Sequence, residues 1–284
     1  MKMRRKTLKE EAIEWLKAFL YAVVAATIIR LFVFETMLVP TGSMIPTINI
    51  NDRLFIEKIT YTVRKPETGD IVVFWSPFVD ERAQQMLRLF DKFMDLFAPA
   101  RFKGHVKYVK RVVGKPGDVI QIKIDDTGKY RVYVNGTIPE SLKDIAYLPD
   151  GVFRYPDLWN WLIEASKLRQ NQSAYREYLQ QLAKQDPLAA NLVFSIVGGM
   201  YPVPLGIVFD DDVYESLNPR DFIKQTDEGI SIIVPEGFYF MMGDNSPESF
   251  DSRYFGFVPV DHIIGKPILR IWPFKNFGPI QKGS

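Results

Sequence analysis

One serine of this sequence stands in a turn that suits a nucleophile. Ser43 lies in the segment PTGSMIPTI, residues 40–48. Gly42 permits an unusual backbone angle and leaves the neighbouring hydroxyl approachable, while Pro40 and Pro46 stiffen the flanks. A Gly-Ser turn is most often only a turn, and a serine that attacks a carbonyl also needs a base to accept its proton. We therefore look for that base elsewhere in the sequence.

Lys110 is a candidate for the base. It lies in VKYVKRVVGKPGD, residues 106–118, whose first part is typical of a strand. Alternation along a strand places Lys110 on one face with three other residues, which are Val106, Tyr108 and Val112. It is therefore the odd charge on an apolar face. Such a lysine can extend to solvent at the strand edge, form an ion pair, or stay buried and uncharged.

Burial would give Lys110 the chemistry of a base near neutral pH. A free lysine has a pKa near 10.4, so only about one in 2,500 is uncharged at pH 7. Removal from water disfavours the charged form and lowers the pKa by up to about 3–5 units. A fall of roughly 3 units corresponds to about 4 kcal/mol and makes the amine a workable base. A Ser/Lys pair is a known variant of the Ser-His-Asp arrangement.

A third polar block, GDNSPESFDSRYFGFVP at residues 243–259, crowds several functional groups beside apolar strands. Its GDN and NSP steps are turn formers. Asp251 and Arg253 are interpreted as an ion pair that locks the loop. Ser249 is a candidate to hydrogen-bond the neutral amine of Lys110 and to orient its lone pair. Both interpretations can hold together.

The amino-terminal segment predicts a membrane anchor. Residues 1–11 carry five basic side chains, and residues 12–34 contain the uncharged run AFLYAVVAATII between Lys17 and Arg30. About twenty helical residues span roughly 30 Å, the thickness of the hydrocarbon core of a bilayer. The basic leader predicts a cytoplasmic amino terminus and a single-pass protein whose remainder lies outside.

Two other interpretations of this segment remain. It could be a cleaved secretory signal, although Ala25 and Ala26 lie inside the apolar run and LFVF follows where a mature terminus should begin. It could also be a core helix of a soluble protein, because the uncharged run by itself is short.

Short runs rich in Val, Ile, Phe and Tyr, separated by Gly and Pro, follow the anchor and predict a mainly β fold. We expect an antiparallel β-sheet catalytic core at 35–136 and 231–284, with a mixed α/β insertion, an inserted cap, at 137–230. The predicted strands are Arg53–Lys58, Asp70–Trp75, Val106–Val113, Val119–Ile124, Tyr130–Val134, Ile230–Val234, Phe238–Met242 and Ile263–Ile271.

Helical periodicity interrupts the strand pattern in three places. The segments Asp80–Phe97 and Asp157–Leu168 each place apolar residues on one helical face, and a further helix is predicted at Tyr175–Leu182. The first of these could lie on the membrane surface, but its polar face mixes both charge signs, which favours packing against the protein.

Composition excludes several classes of function. The chain has no cysteine, which removes disulfides, thiolate catalysis and Cys-based zinc sites. Its two histidines, His105 and His262, are too few for a His-rich metal site, so we predict no metal and no cofactor. A His-based triad would have to use one of these two residues. A net charge of +2 gives no support for a nucleic-acid partner.

Three blocks, in order after a membrane span, resemble the bacterial type I signal peptidases, also called leader peptidases, a Ser/Lys serine-peptidase family. The blocks are PTGSM, KRVVGKPGD and GDNSPESFDSRYFG. The segment NDRLFIEK, residues 51–58, is similar to a further block of that family. Each motif alone is weak, but the ordered set is specific. The family often has an Arg-containing stretch where this chain has Ser246-Pro247.

The resemblance implies a role for each matched position. It makes Ser43 the nucleophile and Lys110 the general base. The amide of Ser43 and the hydroxyl of Thr41 would form the oxyanion hole, which stabilises charge on the scissile carbonyl. Ser249 would orient the lysine, and two further residues, Asp251 and Arg253, would form the structural pair.

The resemblance also implies the substrate, which is the signal peptide of an exported preprotein. Its end would add as a strand beside residues 38–40 and 107–109. Small apolar pockets would accept residues such as Ala at the first and third positions before the cut, because larger side chains are excluded sterically. The substrate-binding candidates are Leu38, Val39, Pro40, Met44 and Val109.

The implied location is the bacterial inner (cytoplasmic) membrane, with the catalytic domain on the periplasmic or extracytoplasmic side and the lipid bilayer as a partner. Three rivals remain. A self-cleaving Ser/Lys repressor would need a DNA-binding domain where this chain has its span. The others are an anchored peptidase for conjugation or pilus precursors, and a non-catalytic periplasmic binding module in which Ser43 and Lys110 lie far apart.

Overall fold

A computed structural model describes residues 8–80, 85, 89, 99–198, 207–209, 213 and 217–280 of the chain. The first element, helix α1, runs from Leu8 to Phe32. Its apolar side chains are exposed rather than packed, and its stretch Lys9–Ile29 is long and apolar enough to cross a membrane. Strand β1 begins at Phe34, directly after this helix.

The remaining elements are mostly strands. In chain order they are β1 Phe34–Leu38, β2 Arg53–Glu57, α2 Thr60–Val63, β3 Ile71–Asp80, β4 His105–Gly114, β5 Val119–Ile124, β6 Tyr130–Val134, α3 Leu158–Leu168, α4 Gln172–Gln185, α5 Pro187–Val197, β7 Ile207–Phe209, β8 Ile223–Thr226, β9 Gly229–Ile233, β10 Phe238–Met242, α6 Ser252–Phe255, β11 Val258–Pro259, β12 Ile263–Trp272 and β13 Gly278–Pro279. Short 3-10 helices occupy several connections, at Ala100–Phe102, Glu140–Leu142, Gly151–Phe153, Pro219–Phe222, Ser246–Glu248, Val260–His262 and Phe274–Asn276.

Nine of these strands form one large sheet with the order β1-β2-β12-β3-β4-β10-β11, to which β13 adds through β12 and β7 through β3. A second sheet has the order β6-β5-β9-β8. Every strand pair in the described residues is antiparallel. The mainly β, antiparallel fold class predicted from the sequence is confirmed.

Helices α3, α4 and α5 pack on the large sheet. Their apolar faces bury residues such as Leu162, Leu182 and Val193 against strand residues such as Val72 and Met241. Helix α5 begins with a hydrogen-bonded Asp186 cap and a proline at its first position, which is a favourable start for a helix. This three-helix layer shares a core cluster with Val112 of β4.

A separate core cluster lies beneath the turn that follows β1. It joins Val39 and Met44 from that turn to strand residues such as Ile56, Val73 and Val109. Strand β4 is consequently buried along most of its length and carries packed residues on both faces. The candidate residues of the Ser43 turn and of β4 therefore sit on rigid elements.

All eight predicted strands occur, with ends that differ by a few residues. The predicted helix at Asp157–Leu168 is α3, and the one at Tyr175–Leu182 is the centre of the longer α4. The predicted helix at Asp80–Phe97 lies for the most part outside the described residues, and its first residue, Asp80, instead ends β3. The elements that the pattern missed are β1, β7, β8, β11, β13, α2, α5 and α6.

The predicted division into a core and a cap stays a prediction. Strand β8 falls within residues 137–230, yet it pairs with β9 in the smaller sheet. The three packed helices α3 to α5 also belong to that range.

Candidate active site

The structure brings Ser43 and Lys110 together from positions 67 residues apart in the chain. The Lys110 Nζ and Ser43 Oγ atoms are 2.5 Å apart, which is hydrogen-bond distance. Both side chains are nearly removed from water, with 4% of Lys110 and 5% of Ser43 exposed. A charged amine donates in this hydrogen bond, whereas an uncharged amine can turn its lone pair toward the hydroxyl and accept the proton.

Burial lowers the pKa of Lys110 from 10.5 to about 8. The charge of Asp251 opposes this fall, and the charge of Arg253 adds to it. Within the described parts of the chain, no carboxylate forms an ion pair with this amine. The amine instead lies 5.6 Å from the centre of the Tyr108 ring. Of the alternatives left open by the sequence, the buried amine is the one observed.

Glycine at position 243 lets the end of β10 approach the turn that carries Ser43. A Cβ atom on Gly243 would lie 2.4 Å from the backbone oxygen of Ser43 and 2.3 Å from Ser249 Oγ. Real Cβ atoms do not approach other atoms so closely, so any other residue at this position would push the turn or the loop away. Strand β10 pairs with β4 one residue earlier, at Met242 and Arg111.

Asp251 and Arg253 form the ion pair predicted from the sequence. The guanidinium binds both carboxylate oxygens at 2.9 Å, and both side chains are fully buried. Burial would raise the pKa of Asp251, but the adjacent Arg253 charge outweighs it and holds the pKa below its ordinary value. Arg253 also donates to the backbone oxygen of Ser246. The pair therefore stabilises the loop that begins with Gly243, Asp244 and Asn245, which we call the GDN loop.

A second buried ion pair was missed in the sequence. Arg111 donates to both carboxylate oxygens of Asp244, at 2.8 and 2.6 Å, and to the backbone oxygen of Gly69. Thr47 donates to the same carboxylate at 2.5 Å. The pair links β4 to the GDN loop and, through Thr47, to the segment that follows Ser43. The two members are 133 residues apart, and no local pattern connects them.

Ser249 and Thr41 differ in exposure, since the first is buried and the second lies at the surface. Ser249 is buried close to Gly243, but no hydrogen bond from its Oγ to Lys110 is found in the described structure. Its lysine-orienting role stays a prediction. Thr41 is exposed, two residues before Ser43, and its oxyanion role also stays a prediction.

The residues predicted to bind substrate divide into two groups. Val39, Met44 and Val109 are buried in the core cluster beneath the turn, whereas Leu38 is half-buried and Pro40 is exposed. Only Leu38 and Pro40 therefore have accessible surface that a substrate could contact. The other three shape the site from below.

Two strand edges are open beside the Ser/Lys pair in the described structure. Strand β1 pairs on one side with β2, and β4 pairs with β10 only from Arg111 onward. Lys107 on β4 contacts Glu35 on β1, so the two edges lie near each other. Lys58 holds the same carboxylate at 2.7 Å. An extended peptide could add as a strand to edges of this kind.

The two histidines occupy structural positions. The ring Nδ1 atoms of His105 and His262 lie 2.7 and 3.1 Å from the backbone oxygens of Ser76 and Trp75. Among the residues that the structure describes, no group of three or more acidic or histidine side chains is placed to hold a metal ion.

A buried serine hydroxyl beside an amine of lowered pKa is the site of a serine hydrolase that uses lysine as its base. Comparison with known families narrows this class. The model of the family described as "Signal peptidase, peptidase S26" matches residues 12–272. The chain belongs to this signal peptidase family, and the family and peptidase class predicted from the sequence are confirmed.

Curated relatives agree with this assignment. A signal peptidase I of Buchnera aphidicola subsp. Schizaphis graminum is 30% identical over 86% of this chain and 70% of its own length. One from Rickettsia bellii is 30% identical over 91% and 72%, and one from Aquifex aeolicus is 26% identical over 86% and 78%. A solved signal peptidase I from Enterococcus faecalis V583 covers 72% of this chain and 97% of its own, at 21% identity and a TM-score of 0.28, too low to bear on the fold.

Proposed function

We propose that this signal peptidase removes signal peptides from preproteins with Ser43 as nucleophile and Lys110 as general base. The observation that carries the proposal is the 2.5 Å separation of Ser43 Oγ and Lys110 Nζ. The neutral amine takes the hydroxyl proton while Oγ attacks the scissile carbonyl, and it then passes the proton to the leaving amine. In the second step the same amine takes a proton from a water molecule as that water attacks the acyl carbonyl, and the proton then passes to Ser43 Oγ as the carboxyl product leaves.

The lowered pKa of Lys110 makes this proton transfer workable. With a pKa of about 8, roughly one enzyme molecule in eleven carries a neutral amine at pH 7. With the ordinary value of 10.5, the fraction would be about one in 3,000. Burial thus raises the amount of active base by more than two orders of magnitude, on the same arithmetic.

The oxyanion hole in this proposal consists of the backbone amide of Ser43 and the hydroxyl of Thr41. Both belong to the turn that carries the nucleophile, so they can face the same carbonyl oxygen. Such donors stabilise the charge that develops in the transition state.

The signal peptide is proposed to add as a strand between the open edges of β1 and β4. Its small side chains would meet the surface formed by Leu38 and Pro40 above the buried residues of the turn, which are Val39, Met44 and Val109. The support is that both edges lack a partner strand beside the Ser/Lys pair in the described residues. Exclusion of larger side chains would then set the specificity.

The location that we propose is the bacterial inner membrane. Helix α1 is long enough to cross it, its side chains are exposed, and residues 1–11 supply the positive charges expected on the cytoplasmic side. The division that we propose is a catalytic core of 35–136 and 231–284 on the extracytoplasmic side, with 137–230 as an inserted cap. The mechanism uses no metal or cofactor.

The test compares Ser43→Ala and Lys110→Ala with the matched control Lys129→Ala, whose lysine is exposed in the turn between β5 and β6. We expect each site variant to cleave an Ala-x-Ala precursor at least about 10⁴-fold more slowly, because nucleophile and base act as one unit. The control should retain activity, and thermal melting should show that all variants fold.

Retained cleavage in Lys110→Ala would refute the mechanism. The pH profile supplies a second test. For the wild type, kcat/KM should rise as the pH increases from 6 and level off above an apparent pKa of about 8. A rate that still climbs steeply at pH 10 would contradict a desolvated base.

A further inference from the structure

Asn245 holds two consecutive carbonyl groups of the nucleophile turn. Its side-chain Nδ2 donates to the backbone oxygen of Gly42 at 3.0 Å. Its backbone N–H donates to the backbone oxygen of Ser43, also at 3.0 Å. This residue belongs to the GDN loop, 203 positions along the chain from Gly42. One residue of a distant loop thus fixes the peptide groups on both sides of the Ser43 Cα atom.

The hydrogen bond to Gly42 has a consequence for the next amide. A trans peptide is planar, and its C=O and N–H bonds point in opposite directions. The oxygen of Gly42 and the N–H of Ser43 belong to the same trans peptide. This oxygen accepts hydrogen bonds from the Ile45 N–H inside the turn, at 3.1 Å, and from Asn245 in the distant loop. Donors that fix the direction of this oxygen also fix the direction in which the Ser43 amide points.

The orientation of the Asn245 amide follows from its partners. Besides the Gly42 oxygen, Nδ2 lies 3.0 Å from Glu248 Oε2. Both partners accept hydrogen bonds and neither can donate, so the NH₂ end of the side chain must face them. Glu248 stands close to the turn, since its Oε2 would lie 3.2 Å from a Cβ atom built on Gly42. Each amide hydrogen of Asn245 thus has its own acceptor.

We propose that Asn245, held in place by Glu248, is a positioning residue that aims the backbone amide of Ser43 at the oxyanion of the transition state. The inference rests on the proposed function, in which that amide is an oxyanion donor. Because Asn245 acts through the Gly42–Ser43 peptide, its loss should weaken transition-state binding while leaving ground-state binding of the substrate unchanged.

The experiment uses Asn245→Ala and Asn245→Asp in the full-length protein, with Asn191→Ala as a matched control on the exposed face of α5. Both site variants keep the backbone N–H that binds Ser43. In Asn245→Ala we expect kcat to fall about tenfold to a hundredfold with KM nearly unchanged, because the donor is misdirected and not removed. Asn245→Asp should lose more, since a carboxylate there repels the two acceptors.

A peptide aldehyde ending in Ala-x-Ala provides a readout that a structural role would not move. Its carbonyl carbon bonds to Ser43 Oγ, the hydroxyl proton moves to Lys110, and the resulting oxyanion occupies the proposed hole. The aldehyde Ki should rise by the same factor by which kcat/KM falls. The melting temperature should fall by no more than a few degrees, because only the side-chain hydrogen bonds of Asn245 are lost.

Glu248 gives a graded series. Glu248→Ala frees one amide hydrogen of Asn245 and should reduce kcat by less than Asn245→Ala does. Glu248→Gln keeps an acceptor oxygen and should retain more activity than Glu248→Ala.

Three results would overturn the inference. The first is a wild-type kcat in both Asn245 variants, and the second is an increase in KM that accounts for the loss. The third is an aldehyde Ki that does not change while kcat falls. Cleavage retained by Ser43→Ala would instead refute the proposed function itself. An inactive Ser43→Ala together with fully active Asn245 variants would refute this inference alone.

Discussion

Replacing Lys110 by methionine should make the protein more stable and inactive. Methionine has a similar length and fills the same buried space without a charge. The wild-type amine is buried, and its lowered pKa means that the folded protein binds the proton of Lys110 less tightly than the unfolded chain does. The folded state therefore bears the cost of keeping a titratable amine out of water.

The size of this cost follows from the pKa. A fall from 10.5 to about 8 corresponds to about 3 kcal/mol at about 1.4 kcal/mol for each pKa unit. Between these two values the unfolded chain binds more protons than the folded protein, so the free energy of unfolding rises with pH. Below pH 8 the full cost is present, and above pH 10.5 it is absent.

One contact is lost in the variant. The hydrogen bond between Ser43 Oγ and Lys110 Nζ disappears, which removes about 1 kcal/mol. Lys110→Met should therefore be more stable than the wild type by about 2 kcal/mol at pH 7, and less stable by about 1 kcal/mol above pH 10.5.

The assay is urea unfolding of the full chain in detergent at pH values from 6 to 10.5. Other groups titrate in both proteins, so the difference between wild type and variant isolates Lys110. Lys129→Met, at an exposed position, is the matched control. The reasoning is refuted if the difference between wild type and Lys110→Met stays constant over this range, or if the variant is the less stable protein at pH 7.

Two further substitutions test the packing around Ser43 and Lys110. Gly243→Ala should lower kcat/KM for precursor cleavage by roughly a hundredfold. The reason is that the added Cβ would lie 2.4 Å from the Ser43 backbone oxygen and would displace the turn. Unchanged kinetics would contradict this, because they would show that the turn can move without loss of activity. Asp244→Ala should reduce the free energy of unfolding by about 3–5 kcal/mol, because it leaves the buried Arg111 without its counter-charge. Denaturant unfolding measures this loss, and the double variant Asp244→Ala/Arg111→Met should be less destabilised than Asp244→Ala.

The sequence predicts the strands well where period-two alternation is strong. It fails at β1, Phe34–Leu38, because this strand follows the apolar anchor without a break and its hydrogen bonds come from β2, a distant segment. The short β7 and β8 carry little pattern of their own and depend on their partners β3 and β9. For such strands, tertiary pairing rather than local propensity decides the structure.

The missed helix α5 is a different kind of failure. Asp186 and Pro187 together form a recognisable helix start, and Gly198 follows the last residue of the helix. Its residues are apolar around most of the helix, so an amphipathic search does not single it out. A search for helix-capping residues would have predicted this helix.

Alternation along β4 predicted the face of Lys110, but it could not reveal the surroundings of the neighbouring Arg111. A strand with one wet face would leave Arg111 in solvent. In the structure Arg111 is fully buried, because the segment around Asp244 folds over that face as well. The contact spans more than a hundred residues, so it follows from the assembled fold and not from local sequence.

The two neighbouring cations of β4 show how the fold sets their chemistry. Arg111 binds the carboxylate of Asp244, whereas Lys110 contacts the hydroxyl of Ser43. The charge of Asp251 favours the protonated form of Lys110 and so raises the pKa of the amine. Arg253 binds both oxygens of Asp251 and opposes this effect, so burial decides the pKa. The Asp251–Arg253 pair therefore does more than lock a loop, because the charge of Arg253 opposes the effect of Asp251 on the pKa of Lys110.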